Sequence, residues 1–213
     1  MNMRMWRRTA GLVALCSAPM FAQNGLLKFD NDEPGKPPQG FSFALTGQGK
    51  PGAWVIRKDD ATHGNVLVQA DGDTTDYRFP LAIYNDFTGG DVTLSVQFKA
   101  LSGKGDQGAG LVWRYRDQNN YYVTRCNALE DNCTIYHVVN GRRQAFQNKR
   151  VKVASNVWHT IKVDATRDHF VVTYDGNAVL DAKDETFKEP GKVGLWTKAD
   201  SVIAFDEFSI GGR

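Results

Sequence analysis

No stretch of this chain keeps the spacing of a long amphipathic helix. Short runs rich in β-branched and aromatic residues recur instead between clusters of Gly, Asp and Asn. The runs are Ala53–Arg57, Val66–Ala70, Val92–Ala100, Gly110–Arg116, Tyr121–Asn127, Cys133–Val139, His159–Ala165, Phe170–Tyr174, Lys192–Thr197 and Val202–Ile210. Such runs, broken by turn residues at short intervals, are the pattern of an all-β sandwich or barrel. Asp175-Gly176 and Asn140-Gly141 are two-residue hairpin signals, because both positions of such turns favour residues that tolerate positive φ. The Gly- and Pro-rich piece Pro34–Gly40 belongs on the surface. There is no internal repeat, heptad or dividing linker.

The N-terminus is a separate matter. Arg4, Arg7 and Arg8 precede the apolar run Thr9–Leu15, small residues follow, and Ala22 is a workable cleavage point. This predicts a signal peptide over residues 1–22, followed by one domain over 23–213, exported to the periplasm or secreted. The apolar run is far shorter than the roughly 20 residues a spanning helix needs, so no stable membrane insertion is expected after cleavage. The leader carries three of the 26 basic residues and none of the 24 acids, so the remainder is one charge negative. That balance provides no electrostatic footprint for nucleic acid. Oligomeric state is not legible.

Export also bears on the cysteines. Cys126 and Cys133 flank the turn NALEDN, and an oxidising compartment lets such a pair close as a disulfide. A metal or redox pair is the alternative, and no histidine cluster stands near them to support it.

Strand parity sorts the stretch from Gly110 to Cys133. Leu111, Trp113 and Tyr115 share one face and Val112, Arg114 and Arg116 the other. Burying an unpaired arginine is costly, so the first set is assigned to the core. In the next run Tyr122, Thr124 and Cys126 oppose Tyr121, Val123, Arg125 and Asn127. If these runs neighbour Lys192–Lys198, then Arg114, Tyr121, Arg125, Asn127, Trp196 and Lys198 meet on one sheet face, with Glu130 in the adjoining turn. Flat rings beside guanidinium, amide and carboxylate groups suit the apolar C–H faces and hydroxyls of a sugar.

Several segments together resemble one family: FDNDEPGKPPQGF (29–41), PGAW (51–54), RFPLAIY (78–84), VWRYRDQNNYYVTR (112–125), NALEDN (127–132), WHTIKVDA (158–165), GKVGLWTKADS (191–201) and FDEF (205–208). They are similar to the exported concanavalin A-like (laminin-G-like) jelly-roll domains grouped with 3-keto-disaccharide hydrolases. The resemblance implies a two-sheet antiparallel jelly-roll sandwich with a concave face where relatives bind or process glycans.

Chemistry is less constrained than fold. The spacing E-x-D-x-x-E of many jelly-roll glucanases is absent, and adjacent acids such as Glu130-Asp131 would point to opposite faces of a strand. The elimination route of an oxidised sugar stays open, with Glu130 or His137 as base and Arg125 or Lys198 at the carbonyl. No catalytic residue is assigned. The four histidines, His63, His137, His159 and His169, show no ligand spacing for zinc. Asp30, Asp32 and Asp206 are candidates for a structural calcium, since jelly rolls bring such chain ends together; turn hydrogen bonding by Asp30 and Asp32 is the alternative. Three functions follow: a carbohydrate-binding domain, an enzyme on 3-keto-glycosides, or a structural or protein-interaction domain of the envelope.

Overall fold

The computed structural model describes residues 25–212; the leader expected over 1–22 lies outside them. Among the described residues the regular elements are all strands: β1 (Gly25–Leu27), β2 (Phe41–Gly47), β3 (Trp54–Lys58), β4 (Asn65–Gln69), β5 (Arg78–Gly89), β6 (Val92–Ser102), β7 (Gly108–Asp117) and β8 (Asn120–Asn127). There follow β9 (Asn132–Val139), β10 (Arg142–Arg150), β11 (Trp158–Thr166), β12 (His169–Tyr174), β13 (Asn177–Lys183), β14 (Gly191–Thr197) and β15 (Val202–Gly212). The first sheet runs β13-β12-β11-β6-β15-β4-β3, with β1 added to β15, and the second runs β10-β9-β8-β7-β14-β5-β2. Every pairing is antiparallel. The all-β class expected from the residues, and the two-sheet antiparallel jelly-roll sandwich that the resemblance implies, are therefore observed. No helix among the described residues is long and apolar enough to cross a membrane.

The core lies between the sheets. Leu94, Val96 and Phe98 of β6 and Ile161 and Val163 of β11 meet Leu111, Trp113, Tyr122, Ile135 and Leu195 from the second sheet. Along β6 and β11 buried and half-exposed residues alternate, as they should where one face of a sheet is solvated. Trp113 stacks on Tyr122 at 5.4 Å and meets Phe170 edge-on at 5.2 Å. Removing so large a buried ring typically costs about 3–5 kcal/mol.

The second sheet is buried on both faces. Phe79, Leu81, Ile83, Val112, Tyr121, Val123, Tyr136, Val138 and Trp196 form a separate apolar cluster on its outer side. The turns fall where expected: Asn140 and Gly141 both have positive φ (50° and 76°), as do Asp175 and Gly176 (44° and 80°). Cys126 and Cys133 are directly opposite in the β8–β9 register and are joined by a disulfide in the core.

Two elements depart from the sequence expectation. β5 is the longest strand, at 12 residues, yet none of the runs expected from the sequence covers it. It contains Pro80, which cannot donate to a ladder and speaks against a central strand. The β14 ladder stops at Leu81, one residue short of Pro80, so Pro80 pairs only with Leu45 of β2. The second departure corrects the parity of β7. A register shift between Trp113 and Asp117 inserts a bulge, and Arg114 takes a φ of 48°. Arg114 turns towards the sandwich edge, whereas Tyr115, assigned to the core, packs on the outer cluster. Gly191 opposite permits this, because a Cβ there would lie 2.5 Å from the Arg114 carbonyl carbon.

Candidate functional site

The adjacency on which the sequence argument depended is present: β8, β7 and β14 are consecutive in the second sheet. Register then sets Arg125 opposite Gly110 and Gly110 opposite Trp196. On the outer side the missing side chain of Gly110 separates the guanidinium from the indole. At this end of the sheet the β8–β9 turn, the loop before β7 and the turn after β14 converge.

The convergence is a network of side chains. Arg125 donates from Nη1 to Asn132 Oδ1 at 2.8 Å and from Nη2 to Glu130 Oε2 at 2.6 Å and to the Tyr136 hydroxyl at 3.1 Å. Asn132 Nδ2 also donates to Glu130 Oε2, at 3.1 Å. Asn127 Nδ2 donates to Asp106 Oδ1 and lies 3.4 Å from Glu130 Oε1. Asp106 in turn is ion-paired with Lys198. Asn127 Oδ1 caps the turn by accepting from the N–H of Leu129 at 2.9 Å.

The loop that carries Asp106 is held from beneath. Asp200 accepts from the N–H groups of Lys104 at 2.6 Å and Asp106 at 2.8 Å. Burial alone would raise the Asp200 pKa, but these backbone donors outweigh it and hold the carboxyl below its usual range. Arg78, fully buried, donates to the carbonyl of Ala199 at 2.6 Å and thereby fixes the turn bearing Lys198 and Asp200.

The two acids of the network are pushed apart. Burial drives the Asp106 carboxyl up, only partly opposed by Lys198. Glu130 is also disfavoured by burial, yet the hydrogen bond and charge of Arg125 prevail and hold it below the usual value. Its side chain is 39% exposed, against 1% for Asp106 and 3% for Arg125. Glu130 is thus a reachable carboxylate held in its ionised form, beside the buried Asp106, whose carboxyl burial pushes up while its ion pair with Lys198 opposes the shift.

Of the residues singled out from sequence, Arg125, Asn127, Glu130 and Lys198 share this network. Tyr121 and Trp196 lie on the same face but are fully buried, Trp196 stacked on Phe79 at 5.3 Å. The accessible ring is Tyr77, 40% exposed, which meets Phe79 edge-on at 4.7 Å. Arg114 lies apart: its donors go to the carbonyls of Gly90 (3.0 Å), Phe187 (2.6 Å) and Arg167. His137 also lies outside the network, 3.3 Å from Asp184. Asp106, Asn132, Tyr136, Arg143 and Tyr77 were not singled out. Asn132 and Tyr136 share the outward parity of Arg125 through the β8–β9 register, whereas Asp106 sits in a loop with no periodic signal.

The network does not coincide with a deep cavity. A cavity of about 400 Å³ lies beside Arg114, Asp168 and Lys188, and a groove of about 450 Å³ runs along Ala44, Tyr115 and Lys192. The Arg114 guanidinium, spent on carbonyls, leaves the first cavity without a buried free donor. Among the described residues Asp30, Asp32 and Asp206 do not gather their carboxylates; the group whose ligand atoms lie within 4.8 Å of one another is Asp59, Asp60 and His63. There Lys99 already contacts both Asp59 oxygens, at 2.6 and 2.8 Å.

Fold and site together define a jelly-roll sandwich with a polar network at one end of one sheet. The chain belongs to the family of the 3-keto-alpha-glucoside-1,2-lyase-like domain, whose model matches residues 35–211. Among solved structures it is similar to the carbohydrate-binding module CBM66 from Bacillus subtilis, with a TM-score of 0.62 and 23% identity over 80% of this chain and 95% of that one. A putative glycosyl hydrolase from Parabacteroides distasonis aligns with a TM-score of 0.53 and 13% identity, over 89% of this chain and 94% of the other. The exoplasmic/lumenal domain of VIP36, in a Ca2+/Man-bound form, gives 0.59 and 10%, over 83% and 84%. No curated protein matches the sequence.

Proposed function

We propose that this is an exported, single-domain carbohydrate-binding protein of the periplasm or the medium, and that it takes its glycan at the network end of the second sheet. The observation that carries the proposal is the cluster of outward side chains, Arg125, Asn127, Glu130 and Asn132, whose hydrogen-bonding groups bond mainly to one another; an exposed aromatic ring, Tyr77, packs on Phe79 of the same outer face. A sugar offers C–H faces to the ring and hydroxyls to Glu130, Asn132 and Lys198. Groups paired with side chains can exchange partners with a ligand at small cost. The name of the Bacillus module and the mannose form of VIP36 support the same class of ligand. The intramolecular disulfide supports an oxidising compartment. A glycan array followed by calorimetry tests the proposal. Binding that weakens about tenfold in Tyr77→Ala is expected, in line with the usual worth of a stacked ring. A folded, oxidised protein that binds no glycan would refute it.

Family membership favours a second reading, an enzyme on 3-keto-glycosides. The keto group acidifies the neighbouring C–H. A base removes that proton, the electron pair forms an enolate, and the adjacent glycosidic C–O bond breaks with departure of the aglycone. Glu130 is the base candidate, because it is ionised and accessible, and Lys198 is the candidate for the developing oxyanion. Release of aglycone from a 3-keto-disaccharide, abolished in Glu130→Gln, is the expected result. No release over background excludes this reading.

A further inference from the structure

We propose that the glycan bound at this face carries an oxyanion, a carboxylate or a sulfate ester, and that Arg143 receives it. The inference rests on the glycan reading given above and adds the chemical class of the ligand.

Arg125 is paired with Glu130, and Lys198 is paired with Asp106 and lies 3.6 Å from the exposed Asp76. Arg143 forms no ion pair with any acid among the described residues, as is also true of Arg116 and Lys192 in the groove beside Tyr115, but it alone of the three sits over the rings of the outer cluster. Its surroundings are rings. The guanidinium carbon lies 4.4 Å from the centre of Tyr136, 4.6 Å from Phe79 and 5.5 Å from Trp196. Ring faces attract the cation, but the five in-plane N–H donors of a guanidinium still need acceptors. Nη1 is buried and has no hydrogen-bond partner. Leaving a buried donor of a charged group unmet is expensive, so the arrangement calls for an acceptor from outside.

Two fully buried arginines show the contrast. Arg78 donates to the carbonyls of Lys50, Pro51 and Ala199 and to Asp71, and Arg114 donates to three carbonyls. Their charge is consumed by the fold. Arg143 is held in place without being consumed. β10 register puts it opposite Val138, on the outward side, and the Tyr77 hydroxyl accepts from its backbone N–H at 2.8 Å while donating to Gly141 O at 3.0 Å. These bonds tie the exposed Tyr77 to the β9–β10 turn. A sugar stacked on Tyr77 places a substituent within reach of the partly exposed Arg143, and two oxygens of a carboxylate or of a sulfate ester match the guanidinium fork.

The test is calorimetric titration of the purified oxidised protein with matched pairs: oligogalacturonate against its methyl ester, and a sulfated galactan oligosaccharide against its desulfated form. The charged member of at least one pair should bind ten or more times more tightly than its neutral partner, and which pair responds tells carboxylate from sulfate. Arg143→Gln should erase that preference, and Arg143→Lys, which keeps the charge but not the fork, should retain part of it. If Arg143→Gln fails to fold, Arg143→Lys and the salt dependence of wild-type binding carry the test. Equal binding of charged and neutral members overturns the oxyanion inference and leaves the glycan reading intact. Binding of no member of any pair, nor of any glycan on an array, overturns both.

Discussion

Arg114 and Arg125 sit on neighbouring strands of one sheet and are equally buried, at 2% and 3% exposure. They do different work because their partners differ. Arg114 spends its donors on backbone carbonyls from three loops, so it ties Gly90, Arg167 and Phe187 together at the sandwich edge. Arg125 spends its donors on Glu130, Asn132 and Tyr136, side chains that face outward. Main-chain acceptors cannot leave without moving the fold, whereas side-chain acceptors can turn to a ligand. A buried arginine is therefore structural or functional according to what it holds.

The largest effect expected from this contrast is at Arg114. Arg114→Met orphans three carbonyls and should cost about 3–5 kcal/mol, the range for breaking a buried charged contact by removing one partner. Urea unfolding measures it, and a loss below about 1 kcal/mol would remove the distinction between the two arginines.

Next is the turn that supports the Arg125 end. Replacing both cysteines, Cys126→Ala with Cys133→Ala, should cost about 2 kcal/mol, as expected for a short closed loop. The same variant should weaken glycan binding, because Asn127, Glu130 and Asn132 all lie on that turn. Unchanged affinity would show that the network orders itself without the bridge.

A smaller effect is expected of Lys198→Met. Affinity for the bound glycan should fall about tenfold, which is about 1.4 kcal/mol, while the unfolding midpoint moves less than in Arg114→Met. A large stability loss with unchanged affinity would assign Lys198 to the fold.

The smallest effect is the acid limb at Glu130. Its folded carboxyl is held below the ordinary value of 4.5, so the native state binds the ionised form more tightly than the unfolded chain does. That contribution is complete above the ordinary value and is lost as pH falls through the depressed one. Thermal unfolding of wild type and Glu130→Gln should differ by less than about 1 kcal/mol at neutral pH, given solvent screening. The difference should close on acidification, and a gap independent of pH would mean that the carboxylate charge contributes nothing.

Much of the molecule was legible before any coordinates. β6 and β11 alternate cleanly because only one of their faces is buried. Asn140-Gly141 and Asp175-Gly176 turn as their residues require. The parity of β8 separated Tyr122 from Arg125 correctly, since its β9 ladder carries no bulge. Legibility failed where local rules were overridden. Pro80 hid β5, and one bulge reversed Arg114 and Tyr115. Trp196 stood out as a sugar platform, but its ring is sealed by Phe79 and Arg143, and neither neighbour is close in sequence.

The sequence by itself determined the all-β class, the hairpin turns and the closable cysteine pair, because each depends on residues near one another along the chain. Only the tertiary structure decided which guanidinium the fold consumes, which ring remains exposed and which acid joins Lys198. Those outcomes depend on strand order, on a single bulge and on loops that meet across the sheet. Arg143 shows this most plainly: its sequence neighbours are ordinary, and its significance comes from the three rings around it and from having no ion-paired acid among the described residues.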